Sequence, residues 1–190
     1  MVSTNDDVID LHAKASAAFA QVLGEIPADR FGDPTPCTEW DIRTLVNHLT
    51  ELHRGAAAAF RGADPSTLGP PSADADPRAA FAAALRDAAS AFRAAGALDR
   101  TYPMPWGESP GSMVVRILAL DAVVHTWDLA KAAGQPCPLD PSTCEAVLAF
   151  GKGMMKPEFR TPESGFGPEV AIAADAPVCD RMAAFFGRRP

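Results

Sequence analysis

The sequence predicts a mainly α-helical protein, a four-helix bundle with a small C-terminal extension. Ala is abundant and β-branched residues are sparse through the first 135 positions, and this composition favours helix over strand. Apolar residues recur at helical spacing in four long segments, which Gly, Pro and capping residues separate. A chain of 190 residues is also long enough to bury a substantial core.

The first helix is predicted over about 6–23, with Thr4 or Asn5 as its N-cap and Gly24 as its stop. Its apolar stripe contains His12. This histidine should therefore point toward the core.

The second helix is predicted to run to about Phe60, after a loop stiffened by two prolines. Residues 38–41 match a capping box in which Asp41 replaces the usual Glu or Gln at the third helical position. The apolar stripe of this helix carries His48. His53 lies five residues further on, about 140° around the helix axis, and should face elsewhere.

Residues 61–76 are rich in Pro, Ser, Gly and Asp, and their lack of periodicity predicts a long exposed connection. Asp76 and Pro77 are predicted to begin a third helix that reaches about residue 95. A proline-restrained aromatic loop is expected over 101–107, with extended backbone as one conformation open to it.

The central helix is predicted to be capped by Ser109 and Pro110, to continue to about Ala133 and to end at Gly134. It carries an apolar stripe through Val114, Leu118, Asp121, His125 and Leu129. This face of the helix should be buried.

The tail is predicted to hold a fifth helix over about 141–155 and a short last helix over 178–186. Between them, 169–173 could form one short strand. We expect 1–135 to form the bundle domain and 136–190 to form an extension packed on it.

The net charge of −7, from 17 basic and 24 acidic residues, argues against a nucleic-acid partner. The compact basic cluster Arg188–Arg189 is expected at a fraying C-terminus. The N-terminus lacks the apolar segment of a signal peptide, and no run approaches 18 apolar residues. We therefore expect a cytoplasmic protein that acts on small molecules and has no membrane partner.

The chain has four cysteines and no C-x-x-C pair. They are expected to be free thiols in a reducing compartment, with two disulfides as the alternative. The cysteines are Cys37, Cys137, Cys144 and Cys179. Cys37 precedes a helix N-terminus, where a thiol pKa can fall, although a small buried side chain is the simpler interpretation.

Asp121 and His125 lie four residues apart on the apolar stripe of the central helix. A buried carboxylate needs a partner, and a metal ion would satisfy both side chains. With His48 on the second helix, three ligands would suit zinc and leave one position open. Nickel and iron also accept these donors. A buried Asp–His pair without metal is the competing account, and spacing leaves both open. Asp128, three residues from His125, could be a further polar partner, although a solvated residue or one that supports a ligand is the simpler interpretation.

An open position on zinc either lowers the pKa of water or binds and deprotonates a thiol. His12 is the one candidate for a catalytic base, although a single histidine on an apolar face is usually a core residue. Three tryptophans could line a pocket, although each is more often plain packing. They are Trp40, Trp106 and Trp127.

Residues 35–49, Thr-Pro-Cys-Thr-Glu-Trp-Asp-Ile-Arg-Thr-Leu-Val-Asn-His-Leu, resemble the start of the second helix in the mycothiol-dependent maleylpyruvate isomerase N-terminal domain family, part of the DinB/YfiT-like superfamily. Residues 121–130 resemble the acid-x-x-x-His segment of that family. Residues 166–170 and 174–187 are similar to the C-terminal end of an actinobacterial metal-binding branch. The resemblance covers nearly the whole chain.

The resemblance implies a DinB-like four-helix bundle that holds a divalent metal, usually zinc. It implies His48, Asp121 and His125 as the metal ligands, although the isomerase has glutamate at the position of Asp121. Members of the superfamily often use low-molecular-weight thiols such as mycothiol, as isomerases or S-transferases.

Three functions are compatible with these observations. The leading hypothesis is a metal-dependent, thiol-using transferase or isomerase of small molecules. The second is a metal-binding bundle without turnover, and the third is a structural bundle with an Asp–His pair inside it. Bundles with exposed apolar faces often dimerise, so a homodimer is also considered.

Overall fold

The protein, analysed as a computed structural model, is described over residues 5–37, 40–69, 76–104, 107–161 and 165–190. The α-helices within these ranges are α1 (Asn5–Gly24), α2 (Ile42–Phe60), α3 (Pro77–Phe92), α4 (Gly111–Ala133), α5 (Pro141–Met154) and α6 (Val178–Phe185). An antiparallel hairpin pairs β1 (Thr101–Met104) with β2 (Gly107–Pro110). The prediction of a mainly α-helical fold with a small extension is confirmed.

The first four helices form the bundle. α1 packs along α4 and α2 packs along α3, while α2 also contacts α4 and α1 contacts α3. Buried apolar side chains from all four helices meet in one core cluster, which includes Phe19, Leu49, Phe81 and Leu129. Burial of such side chains stabilises the bundle by about 1.5–3 kcal/mol each.

The central part of helix α4 is enclosed on every side. Each residue from Leu118 to Ala130 is buried, including the polar ones. The bundle helices cover one side of α4, and α5 and α6 cover another. The polar groups of this helix must therefore find partners inside the protein, because a buried group without a hydrogen bond is costly.

The extension is tied to itself by a disulfide. Cys144 in α5 bonds to Cys179 in α6, with their Cα atoms 5.0 Å apart. The expectation of four free thiols is wrong for this pair, because the packing of α5 on α6 brings together two residues that are 35 positions apart. Cys37 and Cys137 are free, as expected.

Of the two segments for which extended structure was open, one forms a strand. Residues 169–173 form no strand; Val170 donates one backbone hydrogen bond to Ala184 at the end of α6, and one bond makes no ladder. The aromatic loop does contain extended backbone, as the β1 strand of a hairpin that continues to Pro110. There Tyr102 stacks on Phe60 with ring centroids 4.0 Å apart and donates its hydroxyl to the Ala97 carbonyl, which fixes the hairpin on the bundle.

Two predicted helix starts are confirmed and two differ. Asp76 and Asp140 are N-caps whose carboxylates accept from the first turns of α3 and α5. Asp41 is the N-cap of α2 rather than its third residue, and it accepts from the Thr44 amide. Helix α4 has Pro110 as its N-cap, with no side-chain cap bond, so the capping role predicted for the Ser109 side chain is wrong.

Some predicted features lie outside the described residues. These are the cap residue Thr4, Thr38 and Glu39 of the capping box, residues 70–75 of the long connection, and Trp106. Among the helices described, none has the length and hydrophobicity needed to cross a membrane.

Candidate metal centre

Helices α2 and α4 bring together the three side chains predicted as ligands. His48 Nε2 lies 2.9 Å from Asp121 Oδ2, and His125 Nε2 lies 3.6 Å from Asp121 Oδ1. The three ligand atoms are all within 4.8 Å of one another. Asp121 and His125 are buried, whereas 24% of the His48 side chain is exposed, so the cluster reaches the surface on the α2 side.

His125 has one ring nitrogen that is bonded and one that is not. Its Nδ1 lies 2.9 Å from Asp128 Oδ2, and its buried Nε2 has no hydrogen-bond partner among the described residues. A carboxylate only accepts, so Nδ1 carries the proton and Nε2 directs its lone pair toward Asp121 and His48. A metal ion would satisfy that lone pair, and the donor set of two imidazoles and one carboxylate suits zinc.

The charge states of the cluster favour a cation. Burial on its own would raise the pKa of Asp121, but His48, by charge and hydrogen bond, and His125 outweigh it and hold the pKa below its usual value. Burial lowers the pKa of His125, more than its two carboxylate neighbours raise it. The cluster therefore presents an ionised carboxylate beside a neutral imidazole, which is the form that binds metals.

Asp128 is held in place by a residue from the end of the chain. Arg188 directs its Nε and Nη2 at the Asp128 carboxylate at 3.0 and 2.7 Å, and its Nη1 donates to the carbonyls of Gly165 and Phe186. Arg188 is 2% exposed, so its predicted place at a fraying terminus is wrong. Burial would raise the pKa of Asp128, but Arg188 and the bond from His125 keep it low.

Sequence reasoning missed Arg188 because nothing local distinguishes it from its exposed neighbour Arg189. The interpretation of Asp128 as a solvated residue is wrong because it is fully buried, whereas its hydrogen bond to His125 agrees with the interpretation that it supports a ligand. Its three-residue spacing from His125 was the available signal, since positions three apart on a helix are neighbours. No sequence pattern indicates that Arg188 is the partner of Asp128, because the two residues are 60 positions apart.

Aromatic rings enclose the cluster. Trp40 lies with its ring centroid 4.7 Å from that of His48 and 5.5 Å from that of His125. Phe166 stacks at 6.3 Å from the His125 ring. Trp127 packs in a different core region and donates its indole N–H to Asp180, so of the two described tryptophans only Trp40 borders the cluster.

A cleft of about 420 Å³ lies beside His48, between α2, the segment around Leu68 and the hairpin residue Met104. Glu51 and Arg54 add charged groups to a lining that is otherwise largely apolar. The cleft is large enough for a small molecule. It gives one of the three candidate ligands access to solvent.

Cys37 lies beside His125 and Asp128. Its Sγ is within 4.8 Å of ligand atoms of His125 and Asp128, and it donates to the Gly165 carbonyl at 3.6 Å. Burial raises the pKa of the thiol to about 12, although Arg188 acts in the opposite direction. The pKa is therefore raised rather than lowered, and the interpretation as a small buried side chain is the correct one.

His12 is directed at a second histidine and does not contact the three candidate ligands. Its Nε2 lies 3.0 Å from Nε2 of His53, whose Nδ1 donates to the Leu49 carbonyl. His53 thus faces away from His48 as expected, but into the core. Burial, with a smaller effect of His53, lowers the pKa of His12 to about 3, and burial also lowers that of His53.

A sequence profile of the family described as mycothiol maleylpyruvate isomerase N-terminal domain matches residues 12–130. Two Mycobacterium tuberculosis proteins are each 36% identical over 186 residues, covering 96% of this chain and 98% of theirs. They are Uncharacterized protein MT0763 (strain CDC 1551 / Oshkosh) and Uncharacterized protein Rv0738 (strain ATCC 25618 / H37Rv).

Crystal structures of mycothiol-dependent maleylpyruvate isomerase and of a mutant of that enzyme have a similar fold. They match with TM-scores of 0.62 and 0.61, at 15% and 13% sequence identity. Each comparison covers 77% of this chain and 68% of the other. At this level of identity the likeness shows a shared bundle fold.

Proposed function

The chain belongs to the mycothiol maleylpyruvate isomerase N-terminal domain family, and from this premise we propose that it binds a divalent metal and acts on small molecules with a low-molecular-weight thiol. The reaction is a transfer to that thiol or an isomerisation that uses it. Mycothiol is the leading thiol, because the solved enzyme of similar fold depends on it. A cytoplasmic location would supply such thiols.

The observation that carries the proposal is the lone pair of His125 Nε2. It is buried, it has no hydrogen-bond partner among the described residues, and it faces Asp121 and His48. The competing account, an Asp–His pair without metal, leaves this nitrogen unsatisfied, because its distance to Asp121 is 3.6 Å. A metal at the centre of the three side chains removes that cost.

Each surrounding residue has a role that can be stated. Asp128 and Arg188 fix the His125 tautomer, and Trp40 excludes water on one side. The cleft beside His48 admits the small molecule. When bound, zinc supplies a Lewis acid that lowers the pKa of a thiol and makes it nucleophilic at neutral pH. Nickel or iron would suit the same donors.

A metal-binding bundle without turnover is the second candidate. It is favoured by one observation: His12, the candidate base, is hydrogen-bonded to His53 and does not contact the cluster. If catalysis occurs, His12 as its base remains a prediction. A homodimer likewise remains a prediction.

Metal content tests the proposal. The protein is purified without added metal or chelator beside His48→Ala, and His53→Gln serves as a matched control in the same helix. We expect about one equivalent of metal in the parent and in the control, and little in His48→Ala. No metal in the parent, even after zinc is added and the protein is purified again, would contradict the proposal.

Turnover separates the two candidates. The parent, His48→Ala and a chelator-treated sample are each incubated with mycothiol and a maleylpyruvate-type substrate. Thiol-dependent loss of substrate that requires both His48 and metal supports an enzyme. A metal-loaded parent with no effect on thiol reactivity toward any electrophile supports the non-catalytic bundle.

A further inference from the structure

The Cys144–Cys179 disulfide occupies a position from which it can influence the candidate metal centre. It joins the buried Cys144 of α5 to the partly exposed Cys179 in the first turn of α6. Helix α6 leads directly through Phe186 and Gly187 to Arg188, the residue that holds Asp128. The bridge therefore fixes one end of a short segment whose other end supports His125.

We call residues 165–190 the C-terminal arm. Within it, the Gly167 amide donates to the Phe186 carbonyl and the Val170 amide donates to the Ala184 carbonyl. Arg188 donates to the Gly165 carbonyl, and Phe166 stacks beside His125. The arm thus folds back on itself and covers one side of the cluster.

Helix α6 is attached to the rest of the protein by contacts of several kinds. They include the disulfide, the hydrogen bonds from Trp127 to Asp180 and from Arg160 to the Phe185 carbonyl, the Lys131–Asp180 ion pair, and the apolar contacts of Met182, Phe185 and Phe186. A helix this short has little stability of its own, so its position depends on such attachments. Of these attachments, the disulfide alone can be made and broken by a thiol.

We propose that the Cys144–Cys179 disulfide is a thiol-exchange site, at which a low-molecular-weight thiol forms a mixed disulfide with Cys179 and loosens the C-terminal arm from the candidate metal centre. Loss of the Arg188–Asp128 contact then weakens the support of His125. The consequence for metal affinity rests on the proposed function. The loosening of the arm does not.

The exchange conserves atoms and electrons. The thiolate of the small thiol attacks Cys179 Sγ, the disulfide bond breaks, and the Cys144 sulfur leaves and takes up the proton that the attacking thiol lost. A second thiol attacks the mixed disulfide, which yields the oxidised small-molecule disulfide and a free Cys179. The protein gains the two electrons that the two small thiols lose.

The site is tested with glutathione as the probe thiol. The oxidised protein is incubated with excess glutathione at neutral pH, and peptide mass spectrometry locates the adduct. Cys137→Ser serves as a control, because it removes a partly buried free thiol and keeps the bridge. In samples quenched with acid at early times we expect glutathione on Cys179 and a free Cys144, and at later times both cysteines free, because a second glutathione removes the adduct. An intact bridge, or an adduct on Cys144 instead, overturns the proposal.

Hydrogen exchange in the metal-free protein measures how often the hydrogen bonds of the C-terminal arm open. The amides of Gly167 and Val170 are followed in the oxidised parent, in Cys179→Ser and in Arg188→Gln. We expect exchange at least about tenfold faster in both variants than in the parent, and parental rates in Cys137→Ser. Parental rates in Cys179→Ser overturn the proposal.

Titration with Co²⁺ then separates this inference from the proposed function. We expect the affinity to fall by about 10–100-fold in Cys179→Ser and in Arg188→Gln. If the arm loosens but neither the parent nor the variants bind Co²⁺, the exchange site stands and the proposed function fails. If the parent binds Co²⁺ and Cys179→Ser binds it equally well, the coupling to the centre is overturned.

Discussion

Nδ1 of His125 donates a hydrogen bond to Oδ2 of Asp128 over 2.9 Å, and both side chains are fully buried in α4. This contact decides which nitrogen of His125 faces Asp121. It also links the candidate metal centre to the end of the chain, since Asp128 is in turn held by Arg188.

Asp128→Asn should weaken the centre without removing a candidate ligand. An amide oxygen is a weaker acceptor than a carboxylate for the hydrogen bond from His125. The neutral amide also leaves the buried guanidinium of Arg188 without a negatively charged partner. We expect metal affinity to fall by about 10–100-fold and the free energy of unfolding to fall by about 3–5 kcal/mol. Titration with Zn²⁺ and urea denaturation measure the two effects.

Asp87→Asn is the control for this prediction. Asp87 pairs with Arg61 on the exposed surface. The loss of such a pair should leave both quantities almost unchanged. Equal effects of the two substitutions would show that Asp128 contributes nothing specific to the centre.

Asp121→Asn and Asp121→Glu test whether this carboxylate binds the metal directly. Asp121→Asn keeps the shape and removes the charge, so we expect bound metal to be lost on gel filtration. Asp121→Glu restores the charge on a longer side chain and should retain metal. Retention by Asp121→Asn at the parental level would exclude Asp121 as a ligand.

The buried pair His12–His53 makes stability depend on pH. Burial lowers the pKa of His12 from 6.5 to about 3, so between these values the unfolded chain holds a proton that the folded one lacks. Stability therefore falls as the pH falls, by up to about 1.4 kcal/mol per pH unit for this residue. From pH 6.5 to 5, His12 should account for a loss of about 1.6 kcal/mol, because the unfolded histidine is already half protonated at pH 6.5.

His12→Gln provides the comparison. Its amide N–H can still donate to Nε2 of His53, but it does not titrate. Urea denaturation of both proteins at pH 6.5 and 5, with chelator present, should give a loss smaller by about 1.6 kcal/mol in the variant. An equal loss in the two proteins would contradict a buried neutral His12.

Gly187→Ala should disturb the C-terminal arm. Gly187 has φ +93°, and an added Cβ would lie 2.6 Å from the Cα of Gly167. The atoms in the way are all backbone atoms of Gly167, which cannot move aside as a side chain could. We therefore expect a loss of about 2–4 kcal/mol in the free energy of unfolding. Gly153→Ala, on an exposed part of α5 with no atom within 4 Å, should instead stabilise by up to about 1 kcal/mol. Destabilisation of similar size in both variants would contradict this account.

Much of the fold could be predicted from sequence because helices follow local patterns. The start of α5 at Asp140–Pro141 and the end of α4 at Gly134 follow from capping chemistry within a few residues. The hairpin was the least predictable element. It depends on Tyr102 packing on Phe60, a contact between distant segments.

The sequence by itself determined the helices and the presence of His48, Asp121 and His125 on inward-facing positions, because residue spacing along a helix sets the face. Tertiary structure alone decided the partners: Arg188 for Asp128, His53 for His12, and Cys179 for Cys144. These pairs join separate helices and the end of the chain, and their separations of 60, 41 and 35 positions carry no local signal. They form because packing buries groups that are far apart in sequence, and each buried group must find its partner there.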